Sequence, residues 1–318
     1  THELLILRHG KSDWDAGTDD YHRPLKDRGK RGAQRMGVWL LQQQLLPDLI
    51  ISSPAERALV TAQKLCKAAG VGDEGIQRDE RVYGATAAGL LEVLAGTPES
   101  VQRLMLVGHN PGLEDLVILL AGAAVAMPDD GKLLPTATLA RLTVTSAWKD
   151  LAPECALLES ITRPASLPKK FPFPGPDGNE QRDRPAYYYT QSSVIPYRIQ
   201  NGKLEVLVIS SSQKKHLVVP KGIKDPGLTP QESAAKEARE EAGVEGEVAA
   251  DALGEYSYEK WGATCTVAVY PMKVTRTVPE DEWEERHRGR AWMPPDEAAD
   301  RLKEEELRPL VKTLENRL

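Results

Sequence analysis

Two groups of side chains in this 318-residue chain have the types and spacing to do chemistry. The first is acidic. Glu237, Glu240 and Glu241 stand at i, i+3 and i+4, which puts three carboxylates on one face of a helix. The helix is well bracketed. Thr229 is a natural N-cap, Pro230 suits the first helical position, and Glu232 completes a capping box with Thr229. Gly243 is a natural stop, so the predicted helix spans about 230–242. Ala234, Ala238 and Ala242 line a second face, small enough to let the helix lie close to a sheet. Clustered carboxylates repel one another, so they raise their own pKa values or recruit a cation. Oxygen ligands select a hard ion such as Mg²⁺ or Mn²⁺, commonly shared with substrate phosphates. A solvated acidic face is the plain alternative, but the loop Gly222 to Gly227 before the helix favours the cation.

The second group combines imidazole with guanidinium: Arg8 and His9, Arg57, His109, and Arg23 from a loop. Arginine forks match phosphoryl oxygens, and a histidine buried beside them stays neutral and nucleophilic. Taken singly, each of these residues reads as structural or as surface. Their placement is what matters. Strands are predicted at 3–7, 47–51, 103–107 and 139–144, with helices at about 28–44 and after Pro54. Strands alternating with helices imply a largely parallel, three-layer α/β sheet, whose ligands bind beyond the carboxyl ends of the strands. Arg8-His9, the stretch Ser53 to Arg57, and His109 each follow such an end.

Composition bounds the rest. Hydrophobic residues make up 41% and charged residues 28%, which is globular, and the length suits two domains. A net charge of −6 disfavours nucleic acid and anionic membranes as partners. Cys66, Cys155 and Cys265 are odd in number and far apart, which fits neither a disulfide framework nor a zinc spacing. No apolar run is long enough to span a bilayer and no signal peptide is read, so a cytoplasmic protein is expected. Residues 164–186 are rich in proline and read as a linker, with Phe171 and Phe173 inside it. Beyond it, strands are predicted at 187–198, 204–210, 254–260, 264–272 and 290–293, with a turn at Asn201-Gly202 and a helical tail from about 296.

Over residues 1–163 the chain resembles the histidine phosphatase superfamily, and within it the SixA-like phosphohistidine phosphatases. The motifs are Leu5-Ile6-Leu7-Arg8-His9-Gly10, Arg23-Pro24-Leu25 with Arg28-Gly29, Ser52-Ser53-Pro54 with Arg57-Ala58 and Thr61-Ala62, and Gly108-His109-Asn110-Pro111-Gly112. That resemblance implies that His9 attacks phosphorus and becomes phosphohistidine. Arg8, Arg57 and His109 hold the phosphoryl oxygens, Arg23 assists, Glu80 is the candidate general acid, and no metal is needed.

Over residues 187–318 the chain is similar to Nudix hydrolases. Gly222, Glu237, Ala238, Glu240, Glu241, Gly243 and Val244 match the Nudix box. Leu228 and Lys236 depart from it, standing where the family has Glu and Arg. The resemblance implies an α/β/α sandwich with a mixed sheet, and Mg²⁺ or Mn²⁺ held by Glu237, Glu240 and Glu241. Ile195-Pro196-Tyr197-Arg198 and Pro220-Lys221-Gly222 look most like members acting on diphosphoinositol and diadenosine polyphosphates. Lys214, Lys215, Lys221 and Lys224 could attract a polyphosphate. The expectation is a bifunctional phosphohydrolase taking small anionic phosphorylated substrates. Two other readings stand beside it: a phosphatase regulated by a Nudix sensor that binds without turnover, and a phosphatase acting on a phosphohistidine protein.

Overall fold

The computed structural model describes residues 1–318, the side chain of Ala124 apart. It divides into two compact units, Thr1–Pro185 and Ala186–Leu318.

The first unit is built on a six-stranded sheet. Its strands are β1 (His2–Arg8), β2 (Leu49–Ser52), β3 (Ile76–Arg78), β4 (Arg103–Gly108), β5 (Leu139–Val144) and β6 (Ala156–Thr162), in the order β3-β2-β4-β1-β5-β6. The first four in that order run parallel, while β5 and β6 are antiparallel. Alternation along β1 divides the core. Leu4 and Ile6 face a cluster with α3 (Ala87–Ala95) and α4 (Gly112–Ala121). Leu5 and Leu7 face the other side, against α1 (Asp27–Gln42) and α2 (Glu56–Ala68). Three layers result, as the sequence implied. Residues 164–185 fold with this unit and include the hairpin β7 (Phe171–Phe173) and β8 (Glu180–Arg182). Phe171 is buried, and α1 reaches the same segment through Arg35 Nε to the Lys169 carbonyl, 3.4 Å, and Gln42 to the Pro176 carbonyl, 3.2 Å.

The second unit holds a mixed sheet. β9 (Thr190–Gln200) and β10 (Lys203–Ser210) form a hairpin, its turn made by Asn201 and Gly202 at φ 55° and 74°. β11 (Leu217–Val218), β12 (Lys221–Ile223), β13 (Val244–Val248), β14 (Gly254–Lys260), β15 (Ala263–Thr277) and β16 (Arg290–Met293) complete the sheet. β9 and β15 pair in parallel, and the other pairs are antiparallel. α5 (Pro230–Glu237) packs Ala234 on one face of the sheet against Val194, Leu207 and Ile209. α6 (Pro295–Arg301) and α7 (Leu307–Arg317) cover the other face, where Ala298, Leu307, Val311 and Leu314 meet Ile195, Val206 and Val208. Tyr187, Tyr188 and Tyr189, expected in a strand, form a tight 3₁₀ turn instead. No helix among the described residues is long and apolar enough to cross a membrane.

Candidate active sites

In the first unit, parallel pairing brings the carboxyl ends of three strands level: Arg8 lies opposite Gly108, and Ser52 opposite Val107. The residues that follow therefore converge. The rings of His9 and His109 lie 5.3 Å apart, centroid to centroid. His9 Nδ1 is 2.7 Å from the Gly10 carbonyl. A carbonyl only accepts, so Nδ1 carries the proton and Nε2 keeps its lone pair for attack. Burial pushes the His9 pKa down to about 3, helped by His109, Arg8 and Arg57. Burial and Arg57 lower His109 to about 4. Both imidazoles are thus neutral near pH 7, as a nitrogen nucleophile requires. The turn that presents His9 needs glycine: a Cβ on Gly10 would lie 2.6 Å from the Gly29 carbonyl oxygen. Gly10 N–H is held by Thr61 Oγ1 at 2.9 Å, which ties the turn to α2.

Around the two rings stand buried guanidinium groups. Arg8 donates from Nη1 to the Leu134 carbonyl at 3.2 Å. His109 Nε2 meets Ser53 Oγ at 2.8 Å. Arg8 Nε, Arg57 Nε and His109 Nδ1 are buried and have no hydrogen-bond partner among the described residues. The two arginine nitrogens are donors, and buried donors without acceptors are costly and call for an explanation. Phosphoryl oxygens are acceptors of the matching charge.

Two residues of this site are absent from the sequence reading. Asp20 accepts from Arg23 Nη1 at 2.6 Å and from Arg57 Nη2 at 3.0 Å. Tyr83 donates its hydroxyl to the same carboxylate, and its ring meets His109 edge-on at 5.6 Å. These bonds, Tyr83 foremost and then the two arginines, hold Asp20 well below the usual carboxylate range. Its only sequence signal is its place three residues before Arg23. Glu80, the sequence candidate for general acid, is exposed and accepts a hydrogen bond from Tyr21 at 3.1 Å.

In the second unit the capping box forms as read: Thr229 Oγ1 accepts from Glu232 N–H, and Glu232 accepts from Thr229 N–H, both at 3.1 Å. Gly243 stops the helix at φ 62°. The interior differs from the expected α-helix. After Glu237 the chain makes a π-helical turn, Ala238–Ala242. A π turn takes more residues, so each advances roughly 80–85° instead of about 100°. Over four residues Glu241 ends roughly 20–40° short of a full turn from Glu237, no farther than in an α-helix, while Glu240 rotates further from Glu237. Glu241 is buried, and Glu237 and Glu240 are half-buried. Gly222 gives Glu237 room, since a Cβ there would lie 2.2 Å from Glu237 Cδ. Glu241 accepts from Lys221 N–H at 3.2 Å, and Arg288 Nη2 approaches it to 3.9 Å. Burial first, then the neighbouring carboxylates, raise the Glu237 pKa, and burial also raises Glu241.

A Nudix domain model matches residues 189–314, and the model of the histidine phosphatase superfamily (branch 1) matches residues 4–84. Nudix hydrolase 12, a mitochondrial protein of Arabidopsis thaliana, is 33% identical over 142 residues, covering 37% of this chain and 69% of that protein. The chain belongs to the Nudix family through its second half, and its first half carries the match to the histidine phosphatase superfamily model over residues 4–84. The phosphatase half is also 36% identical over 157 residues to an uncharacterized protein of Mycobacterium tuberculosis, covering 48% of this chain and 96% of that one. The solved structure of the protein histidine phosphatase SixA complexed with tungstate aligns at 20% identity and TM-score 0.44, covering 52% of this chain and 98% of that one.

Nudix domains generally need a divalent metal, and the carboxylates of the Nudix half fit one. Glu237 and Glu241 are hard oxygen donors whose pKa values are raised by burial first and, at Glu237, by repulsion from Glu241, which Arg288, 3.9 Å from Glu241, does not cancel. Among the described residues no three His, Cys, Asp or Glu side chains form a ready-made cage. Mg²⁺ does not demand one, because it binds through one or two carboxylates and takes its other ligands from water and substrate phosphates. The departures from the Nudix box also have a local account. Lys236 finds a carboxylate at Asp225, 3.1 Å away, three residues before the leucine that replaces the family glutamate. Lys221 lies with Nζ 4.0 Å over the Tyr258 ring, and burial lowers its pKa.

Proposed function

We propose that the chain is a phosphohydrolase with two active sites. The first removes a terminal phosphoryl group from a phosphomonoester or phosphohistidine. His9 Nε2 attacks phosphorus in line with the leaving group, the P–O or P–N bond breaks, and phosphohistidine forms. Arg8, Arg57 and His109 bind the equatorial oxygens, with Arg23 at the rim, and water then releases inorganic phosphate from His9. An imidazole or a stabilised phenolate leaves with little protonation, which suits a site where Asp20 is ionised; an alkoxide released from other phosphomonoesters takes its proton from water. The observation that carries this reading is the 5.3 Å pairing of two neutral histidines among buried arginines.

The second site cleaves a phosphoanhydride of the nucleoside or inositol polyphosphate class. A Mg²⁺ or Mn²⁺ held by Glu237 and Glu241, with Glu240 at the margin, supplies charge neutralisation on the diphosphate. Lys221 adds positive charge beside Glu241, and the Glu237–Glu241 pair holds or releases a proton. Turnover is favoured over a silent sensor by the Lys236–Asp225 pair, which replaces the charged support that Leu228 removes.

Paired substitutions separate the sites. His9→Ala is expected to abolish phosphatase activity measured in EDTA and to spare metal-dependent anhydride cleavage. Glu241→Gln is expected to do the reverse, each loss being at least ~10³-fold. Screening inositol pyrophosphates, dinucleoside polyphosphates, oxidised nucleotides and phosphohistidine with and without Mg²⁺ identifies the substrates. An unchanged rate in either variant removes that site from the scheme.

A further inference from the structure

We infer that Asp20 is a positioning residue of the phosphatase site, holding Arg57 and Arg23 so that their remaining N–H edges meet the phosphoryl group. The inference rests on the reading of that site given above. Arg57 gives both terminal nitrogens to Asp20: Nη1 to its backbone carbonyl at 2.5 Å and Nη2 to Oδ2 at 3.0 Å. Arg23 gives Nη1 to Oδ1 at 2.6 Å, and its Nε is fixed by Ser12 Oγ at 3.0 Å. The Arg57 and Arg23 side chains are 6% and 9% exposed, whereas that of Asp20 is 51% exposed. One surface carboxylate thus reaches in between two buried cations on long, rotatable stems. Without it the cations would repel and swing apart.

Asp20 does not stand where the phosphoryl group would sit. A carboxylate in that place would engage the buried Nε donors of Arg8 and Arg57, and both lack partners. It occupies the far end of the Arg57 fork and so decides which edge of that guanidinium is offered. Tyr83 extends the arrangement, its hydroxyl on Asp20 and its ring on His109. The bonds at Asp20 therefore join the loop after β1, the start of α2 and the turn after β3.

The test uses the full chain in EDTA, with p-nitrophenyl phosphate as substrate and inorganic phosphate as competing ligand. Asp20→Ala is expected to raise KM and the phosphate inhibition constant together by about 10- to 100-fold, with a smaller fall in kcat. Asp20→Glu is expected to recover part of both. The neighbouring Asp19, exposed and paired with His22 at 2.8 Å, serves as the control, and Asp19→Asn is expected to leave both constants unchanged. A merely structural role would lower kcat through the folded fraction and leave KM and the phosphate constant in place. That result overturns the inference. Tighter phosphate binding in Asp20→Ala overturns it too, by showing a competitor for the arginines. Absence of His9-dependent turnover in the wild type refutes the phosphatase reading itself. Calorimetric titration of wild type and Asp20→Ala with phosphate then still decides the role of Asp20.

Discussion

At the scale of single residues, the phosphatase site stores a cost that appears as acid sensitivity. His9 and His109 titrate at about 3 and about 4 in the folded chain, against 6.5 when exposed. As pH falls below 6.5 the unfolded chain takes up two protons that the folded chain refuses, so stability falls with pH through about 4 for His109 and about 3 for His9. The groups facing the rings agree with this sign. Arg8, Arg57 and Arg23 are cations that oppose a further charge. Asp20 opposes them at His109, and its own depressed pKa contributes stability that is lost only below the ordinary aspartate value near 3.8. The expected loss between pH 7 and pH 4 is about 6 kcal/mol from the two histidines, roughly 3 from each. His9→Ala should remove about half of it, as read from urea denaturation at several pH values. An unchanged pH slope in that variant would show that His9 is not buried as described. The sequence made Arg8, His9, Arg57 and His109 legible because they gather at strand ends, and Arg23 was read from a loop. Asp20 was hidden because an aspartate in an exposed polar loop reads as solvated, and only folding brings it beside residue 57.

At the scale of elements, the acidic helix shows what local rules reach. Capping, the proline at the first turn and the terminal glycine are decided within a few residues of chain, and all form as read. The π turn is not decided locally. It differs from an α turn by one step in hydrogen-bond pairing, and the sheet decides it by taking Ala238 and Ala242 into the core while Glu241 is drawn inward. Residue spacing placed three carboxylates on one face; the fold buries Glu241 and rotates Glu240 further round, where it still raises the Glu237 pKa. Gly222 is the partner of that arrangement. In Gly222→Ala the new methyl meets the end of a flexible side chain, so Glu237 turns away and the backbone stays. Stability is expected to fall by about 1 kcal/mol or less, and metal-dependent cleavage by about 10- to 100-fold. Phosphatase activity in EDTA should hold. Full metal-dependent activity in that variant would exclude Glu237 from the site.

At the scale of the molecule, each unit closes its own hydrophobic core. Leu4 to Leu7 are buried on both faces of the first sheet, while Ile195, Val206 and Val208 pack under α6 and α7 in the second. The apolar strand runs and the Ala234, Ala238 and Ala242 face were legible in the sequence. The course of residues 164–185 was not legible, because proline content says that a segment is irregular and nothing about the surface on which its Phe171 is buried. Separate cores imply separate folding. A fragment of residues 186–318 is therefore expected to unfold in one cooperative transition, and to cleave a phosphoanhydride with Mg²⁺ at a rate within about threefold of the full chain. Circular dichroism during heating and a phosphate-release assay check the two parts. The Glu237–Glu241 pair makes the outcome decisive. In a sensor these carboxylates would gain from a bound cation without needing to exchange a proton, so cation-dependent binding without turnover would identify the Nudix half as a binding module, whereas turnover lost on Glu241→Gln would assign the chemistry to that pair.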